Sequence, residues 1–133
     1  MEKKYELVKI AYNNAYAKYS KFKVGAVLCL TDGKYYLGSN IENASYGLSN
    51  CAERSALFGA YSQGYRQKDI KEIVIIGDTK RPISPCGACR QVISELMLPD
   101  ALVTLTNLKG DIFTLKVADL LPYAFTEDDL NDE

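Results

Sequence analysis

Three cysteines and one glutamate are the residues of this chain best suited to chemistry. Cys86 and Cys89 are spaced i, i+3 in Pro85-Cys86-Gly87-Ala88-Cys89, and Cys51 opens the stretch Cys51-Ala52-Glu53-Arg54. The sequence contains no histidine. That removes Ser-His-Asp and Cys-His arrangements, HExxH metalloproteases and every His-ligated zinc site. Acid–base work must then run on Glu, Asp, Lys, Tyr or Cys, and any zinc must sit on sulfur or carboxylate. Both cysteine stretches fall where a loop enters an expected helix. There the free amide N–H groups and the positive end of the helix dipole stabilise thiolates, the form that binds metal. The i, i+3 spacing returns the Cys86 and Cys89 sulfurs to one side of a first helical turn, and Cys51 supplies a third ligand from the neighbouring helix. Three protein ligands with one open position is the catalytic zinc pattern, whereas a structural site is closed by a fourth. Glu53, two residues beyond Cys51, can exchange protons with a water at the open position without binding the metal itself.

The same residues admit plainer readings. A thioredoxin-like Cys-x-x-Cys follows the first strand of a βαβ unit; here it follows a helix, a hairpin, a second helix and a strand. Closing a four-cysteine structural site would need Cys29, which lies inside the apolar run Val24-Gly-Ala-Val-Leu-Cys-Leu30 and reads as core. Glu53 alone would pass as an acid favourable to a helix N-terminus. Beside Cys51 and the Cys86/Cys89 pair it reads as the acid–base group. A zinc-stabilised binding module without turnover would leave Glu53 without a role.

The positioning elements follow from periodicity and turn chemistry. Tyr5, Val8, Tyr12, Ala15 and Tyr19 recur at helical steps, predicting an amphipathic helix over 2–19. A buried strand over 24–30, an Asp32-Gly33 turn and a returning strand over 35–39 form a hairpin. Residues 41–50 have no period and read as a loop, followed by a helix over 51–62 closed near Gly64. A β-branched strand over 72–76, a Pro-punctuated loop over 81–85, a helix over 86–97, strands over 102–106 and 112–116 and an irregular tail complete the order. This predicts an α/β fold, a single layered domain over 1–133 with a mixed sheet of about five strands and helices packed on both faces. The stretch 126–133 holds five acids in eight residues and is expected to be a frayed tail.

Composition excludes several function classes. Sixteen basic and seventeen acidic side chains leave a net charge of −1, without the basic surplus that gripping nucleic acid requires. No apolar run approaches the ~20 residues of a membrane span, and the charged N-terminus lacks the h-region of a secretory signal. The expected location is therefore the cytoplasm. In that reducing compartment a spaced cysteine pair is more often metal-binding or catalytic than a disulfide.

Cys51-Ala52-Glu53 with Pro85-Cys86-Gly87-Ala88-Cys89 matches the signature of zinc nucleobase and nucleoside deaminases, in which three cysteines or a histidine and two cysteines hold the metal and the glutamate stays outside it. The chain closely resembles the short cytidine deaminases that act on free nucleosides. The resemblance runs through Tyr19-Ser20-Lys21-Phe22, Val24-Gly25-Ala26, Asn40-Ile41-Glu42-Asn43-Ala44-Ser45-Tyr46-Gly47, both zinc motifs through Arg90-Gln91, and Leu120-Leu121-Pro122 with Ala124-Phe125. It implies one Zn²⁺ per chain on Cys51, Cys86 and Cys89, with Glu53 as proton shuttle. It further implies that Phe22 packs on the pyrimidine, that Asn40 and Glu42 bind the ribose 3′-hydroxyl, and that the Ala52 amide and the Ser84 carbonyl read the base. In this family a homotetramer completes each site, and the positions contributed by neighbours match Ala44, Tyr46 and Phe125. The implied reaction is hydrolytic deamination of cytidine and deoxycytidine in pyrimidine salvage. Blasticidin-type deaminases share the zinc motifs but lack the Asn-Ile-Glu-Asn-Ala segment and carry an apolar residue where Arg54 stands.

Three thiolates on Zn²⁺ leave a formal charge of about −1, which weakens activation of water unless charge is drawn from the sulfurs. The helix N-termini contribute. Arg54 and Arg90, adjacent to Glu53 and Cys89, are the candidate N–H···S donors. The short deaminases use the arginine after the catalytic glutamate in this way, which matches Arg54. For Arg90 a surface or interface salt bridge is the alternative role.

Overall fold

A computed structural model describes residues 2–45, 48–85 and 87–120. Tyr46, Cys86, Phe125 and the acidic stretch 126–133 lie outside the described residues. The elements are α1 (Glu2–Asn13), β1 (Val24–Leu30), β2 (Tyr35–Ser39), α2 (Ala52–Ser62), β3 (Ile70–Gly77), α3 (Gly87–Leu96), β4 (Leu102–Asn107), β5 (Ile112–Lys116) and α4 (Val117–Leu120). The strands form one mixed sheet in the order β2-β1-β3-β4-β5. Three of its ladders are antiparallel, and β3 pairs with β4 in parallel. A parallel pair needs a crossover connection, and α3 provides it. The expected α/β architecture is the one observed.

Strand alternation sends successive side chains to opposite faces, which builds two cores. Val27 and Cys29 of β1 and Val74 and Ile76 of β3 pack against Val8 of α1. Ala26, Leu28, Ile73, Ile75 and Val103 face the other way, onto Ala52, Ala56, Leu57 and Ala60 of α2 and Ile93 of α3. Full burial of each large aliphatic side chain contributes about 1.5–3 kcal/mol before entropy is counted. Cys29 is therefore core, as expected, and the pleat turns it to the sheet face opposite α2 and α3.

Close approach of α2 depends on Gly38. A Cβ there would stand 2.5 Å from the Ala52 carbonyl oxygen and 2.5 Å from the Ala56 nitrogen, so the first turn of α2 rides directly on β2. At the far end of the same helix, the Tyr61 hydroxyl donates to the Leu96 carbonyl at 2.8 Å. Beneath α1, Glu72 is buried yet accepts from Lys4 Nζ at 2.7 Å and from Thr104 Oγ1 at 2.5 Å.

Two expectations need correction. The first helix ends at Asn13, not at residue 19. Beyond it the Tyr16 amide donates to the Asn40 carbonyl and the Glu42 amide donates to the Tyr16 carbonyl, each at 2.9 Å. Tertiary pairing with the 40–42 segment overrides the helical spacing of Ala15 and Tyr19, helped by Asn13-Asn14, which are weak helix formers. The tail, in turn, begins with a helical turn rather than irregular chain. In α4 the Val117 and Ala118 amides donate to Ala101 and Pro99 carbonyls at 2.9 and 3.1 Å, and Val117 and Leu120 are buried. Four residues are too few to show a period. Among the described residues, no helix is long and apolar enough to cross a membrane.

Candidate active site

Cys51 occupies the N-cap of α2 with extended backbone (φ −79°, ψ 163°) and makes no side-chain capping bond. Cys89 lies in the first turn of α3. The Cys51 and Cys89 sulfurs meet, so the two helix N-termini converge at one place. Tyr61 and Leu96 meet at the other ends, so α2 and α3 run side by side in the same direction. Both positive dipole ends then act on the same sulfurs. The Cα atoms of Cys51 and Cys89 are 7.6 Å apart, wider than the usual ~4.4–6.8 Å of a disulfide.

Glu53 completes the cluster. Among the described residues, one ligand atom from each of Cys51, Glu53 and Cys89 lies within 4.8 Å of the others. The Glu53 side chain is only 4% exposed. Burial raises its pKa above the ordinary carboxylate value, opposed by its own backbone N–H and by the Arg54 charge. A buried carboxyl kept close to exchanging a proton suits acid–base work. Arg54 Nε donates to the Cys51 sulfur at 3.1 Å, the contact expected of a group that draws charge from a thiolate.

The donor chemistry fits zinc: soft sulfurs at two helix N-termini, a cation bonded to one of them, and a carboxylate close by. Cys86, the other expected ligand, lies outside the described residues. Cys29 belongs to the opposite sheet face and takes no part.

A second group of expected residues assembles around the strand that opens the sheet. The Asn40 side chain spans the start of β1, with Oδ1 accepting from the Val24 amide at 2.9 Å and Nδ2 donating to the Phe22 carbonyl at 2.9 Å. Phe22, just before β1, is 42% exposed. Glu42 Oε1 accepts from the amides of Tyr19 and Ser20 at 3.0 and 2.9 Å, and Oε2 accepts from the Ser20 hydroxyl. These bonds, the Ser20 hydroxyl first, hold the Glu42 carboxyl below its ordinary pKa. Ile41 and Asn50 exchange two backbone bonds of 2.9 Å, which lays this segment beside the residue preceding Cys51. Ala52 opens α2 and is buried, so its N–H is one of the amides without an intrahelical partner. Ala44 is exposed in a turn stapled by Asn43, whose amide donates to Ser49 Oγ at 2.9 Å. Tyr46 and Phe125 lie outside the described residues.

Two site residues were not assigned their observed roles from sequence. Ser20 supports Glu42, and only the positive φ of 63° at the next residue, Lys21, betrays the tight turn that makes this possible. Arg90 makes contacts that the sequence did not assign to it. Its acceptors among the described residues are oxygens: the Pro85 carbonyl at 3.0 Å, the Leu120 carbonyl at 2.8 Å and Ser84 Oγ at 2.5 Å. Neither a sulfur contact nor a salt bridge is among them. A groove of about 630 Å³ opens beside the site; among the described residues its walls include Ser84, Arg90, Leu105 and Phe113. Cys51, Cys89 and Glu53 are not among the described residues lining that groove.

Known proteins resemble this chain in sequence and fold. Residues 1–105 match the family model described as the cytidine and deoxycytidylate deaminase zinc-binding region. A cytidine deaminase from Halalkalibacterium halodurans is 57% identical over 122 residues, covering 92% of this chain and 91% of that protein. The crystal structure of cytidine deaminase from Burkholderia pseudomallei superimposes with a TM-score of 0.90 at 53% identity, covering 93% of this chain and 98% of that one. The corresponding structure from Mycobacterium tuberculosis gives a TM-score of 0.78 at 31% identity, covering 93% and 95%. The chain belongs to the cytidine and deoxycytidylate deaminase family.

Proposed function

We propose that this protein is a zinc-dependent hydrolase that converts cytidine and deoxycytidine, with water, to uridine and deoxyuridine and ammonia. The observation that carries the reading is the convergence of Cys51, Cys89 and the buried Glu53 within 4.8 Å in a chain of this family. Cys51, Cys86 and Cys89 would hold one Zn²⁺. When bound, the metal supplies a Lewis acid that makes water nucleophilic at neutral pH.

The remaining steps belong to the chain. Glu53 takes one proton of the attacking water and delivers it to N3 of the base as C4 becomes tetrahedral, then takes the remaining proton from the new C4 hydroxyl and passes it to the departing amino group, which leaves as ammonia. Its burial supports this role, because a desolvated carboxyl binds and releases protons nearer neutrality than a solvated one. The Ala52 amide N–H donates to the base carbonyl, and the Ser84 carbonyl accepts from the amino group. The exposed Phe22 ring stacks on the pyrimidine. Asn40 and Glu42 bind the ribose 3′-hydroxyl; each retains acceptor capacity beyond the bonds already made. Ala44, Tyr46 and Phe125 complete the pocket of a neighbouring subunit in a homotetramer, each chain acting as one domain. Pyrimidine salvage in the cytoplasm is the corresponding cellular role.

The test is purified protein with cytidine, following loss of its ultraviolet band together with ammonia release, with Glu53→Gln in parallel. Turnover by the wild type and a loss of about 10²–10⁴-fold or more in a folded, zinc-loaded Glu53→Gln protein is the expected result. No turnover from a protein holding one zinc per chain would overturn the substrate and direct attention to other amine-bearing bases, blasticidin first.

A further inference from the structure

Among the described residues, the stretch 82–85 brings few backbone donors of its own. Pro82 and Pro85 bring no N–H, and the Ile83 amide reaches the Thr106 carbonyl only at 3.3 Å. The donors come from elsewhere. Arg90, half-buried in α3, directs Nε to the Pro85 carbonyl at 3.0 Å and Nη2 to Ser84 Oγ at 2.5 Å. Its Nη1 reaches across 30 residues to the Leu120 carbonyl at 2.8 Å. A guanidinium is planar, always charged and rigid, so three bonds from one group fix its three acceptors relative to each other. Two of those acceptors immediately precede Cys86, and the third is the last carbonyl of α4, where the chain departs toward 121–133.

We propose that Arg90 is a positioning residue that locks the Ser84–Pro85 backbone and the end of α4 into one unit, so that the base-reading carbonyl and the departure point of the C-terminal segment are set together. For the carbonyl's role the proposal rests on the nucleoside reading given above; the mechanical lock does not. A point charge cannot replace the planar fork, so lysine at this position should not restore the lock.

The experiment compares Arg90→Gln and Arg90→Lys with wild type and with Arg81→Gln, a control on the same groove. Three quantities are followed: KM and kcat for cytidine, the rate of chymotryptic cleavage within 121–125, and the rate of zinc release to a chromophoric chelator. Both Arg90 variants should raise KM about tenfold while kcat changes by less than about threefold. Both should also speed cleavage and zinc release about tenfold, and Arg81→Gln should match wild type. Full rescue by Arg90→Lys would reduce the role to charge and overturn the proposal, as would unchanged cleavage in Arg90→Gln. If Arg90→Gln does not fold, Arg90→Lys and Ser84→Ala carry the same comparison. Should wild type fail to turn over cytidine, the nucleoside reading falls, and the cleavage rates still decide the lock.

Discussion

Removing the arginine that touches a sulfur tests the electrostatic design of the site. In Arg54→Ala the Cys51 sulfur loses its 3.1 Å donor and a positive charge held on the same helical turn. A hydrogen bond involving a charged group contributes about 1.5–3 kcal/mol. Arg54 is half-buried, so solvent screens the long-range part of its field and the bond itself is what remains to count. At about 1.4 kcal/mol per factor of ten, the expected loss in zinc affinity is about 10- to 100-fold, the range found when groups supporting metal ligands are removed. Turnover should fall as well, because a more electron-rich metal activates water less. The assay is chelator competition for zinc, paired with kcat on fully loaded protein. Arg66→Ala provides the comparison: Arg66 is exposed, donates to the Tyr61 and Tyr65 carbonyls at 3.0 and 2.7 Å and touches no sulfur in the described structure. Arg54→Lys keeps the charge without the Nε–H and should fall between. Equal zinc affinities for Arg54→Ala and Arg66→Ala would refute charge compensation.

Other perturbations follow from the same structure. Gly38→Ala would place a methyl 2.5 Å from the Ala52 oxygen and the Ala56 nitrogen, and should cost about 1–3 kcal/mol in urea unfolding while weakening zinc binding, since Cys51 caps that helix. An unchanged metal affinity in the folded variant would show that the approach of α2 to β2 does not set the sulfur. Lys4→Met leaves the buried Glu72 carboxylate with Thr104 as its remaining side-chain donor and should destabilise by about 1–3 kcal/mol. The double change with Glu72→Gln should cost less than the two single losses added, and simple additivity would contradict the coupling. Burial, with help from the Glu72 charge, pushes the Cys29 thiol up to about 11, above the ~8.5 of an unfolded cysteine. The folded state thus holds that proton more tightly. Its contribution is complete below about pH 8.5 and is lost as pH rises toward 11. Denaturation midpoints of wild type and Cys29→Ala should accordingly converge between pH 8 and about 10.5, or cross; parallel curves would rule this out.

Much of the molecule was legible from the residues alone because its signals are local. The β-branched run of 73–76, the Asp32-Gly33 turn and the apolar run around Cys29 each determine a strand or turn through neighbours in sequence, and all appear where expected. The metal motif is legible for the same reason: i, i+3 spacing at a helix start is a short-range geometric fact. The ends of elements were less so. Helix periodicity carried the first helix past Asn13, because nothing in 14–19 announces that Tyr16 will pair with 40–42.

What the sequence determined by itself is the inventory: a histidine-free metal chemistry on cysteine, one carboxylate beside it, and the alternation that assigns Cys29 to a core. Only the tertiary structure decided how those parts meet. It brings Cys51 and Cys89 together because α2 and α3 lie on the same sheet face with their N-termini level, a consequence of Gly38 and of the parallel β3–β4 crossover. It also decided that Arg54 bonds a sulfur while Arg90 binds carbonyls. Both arginines adjoin the motif; the resemblance matched Arg54 to the sulfur, and for Arg90 the sequence left two roles open. The reason is physical: a long flexible side chain finds its partner by where distant backbone is folded around it, and the Pro85 and Leu120 carbonyls become neighbours only after the sheet has formed.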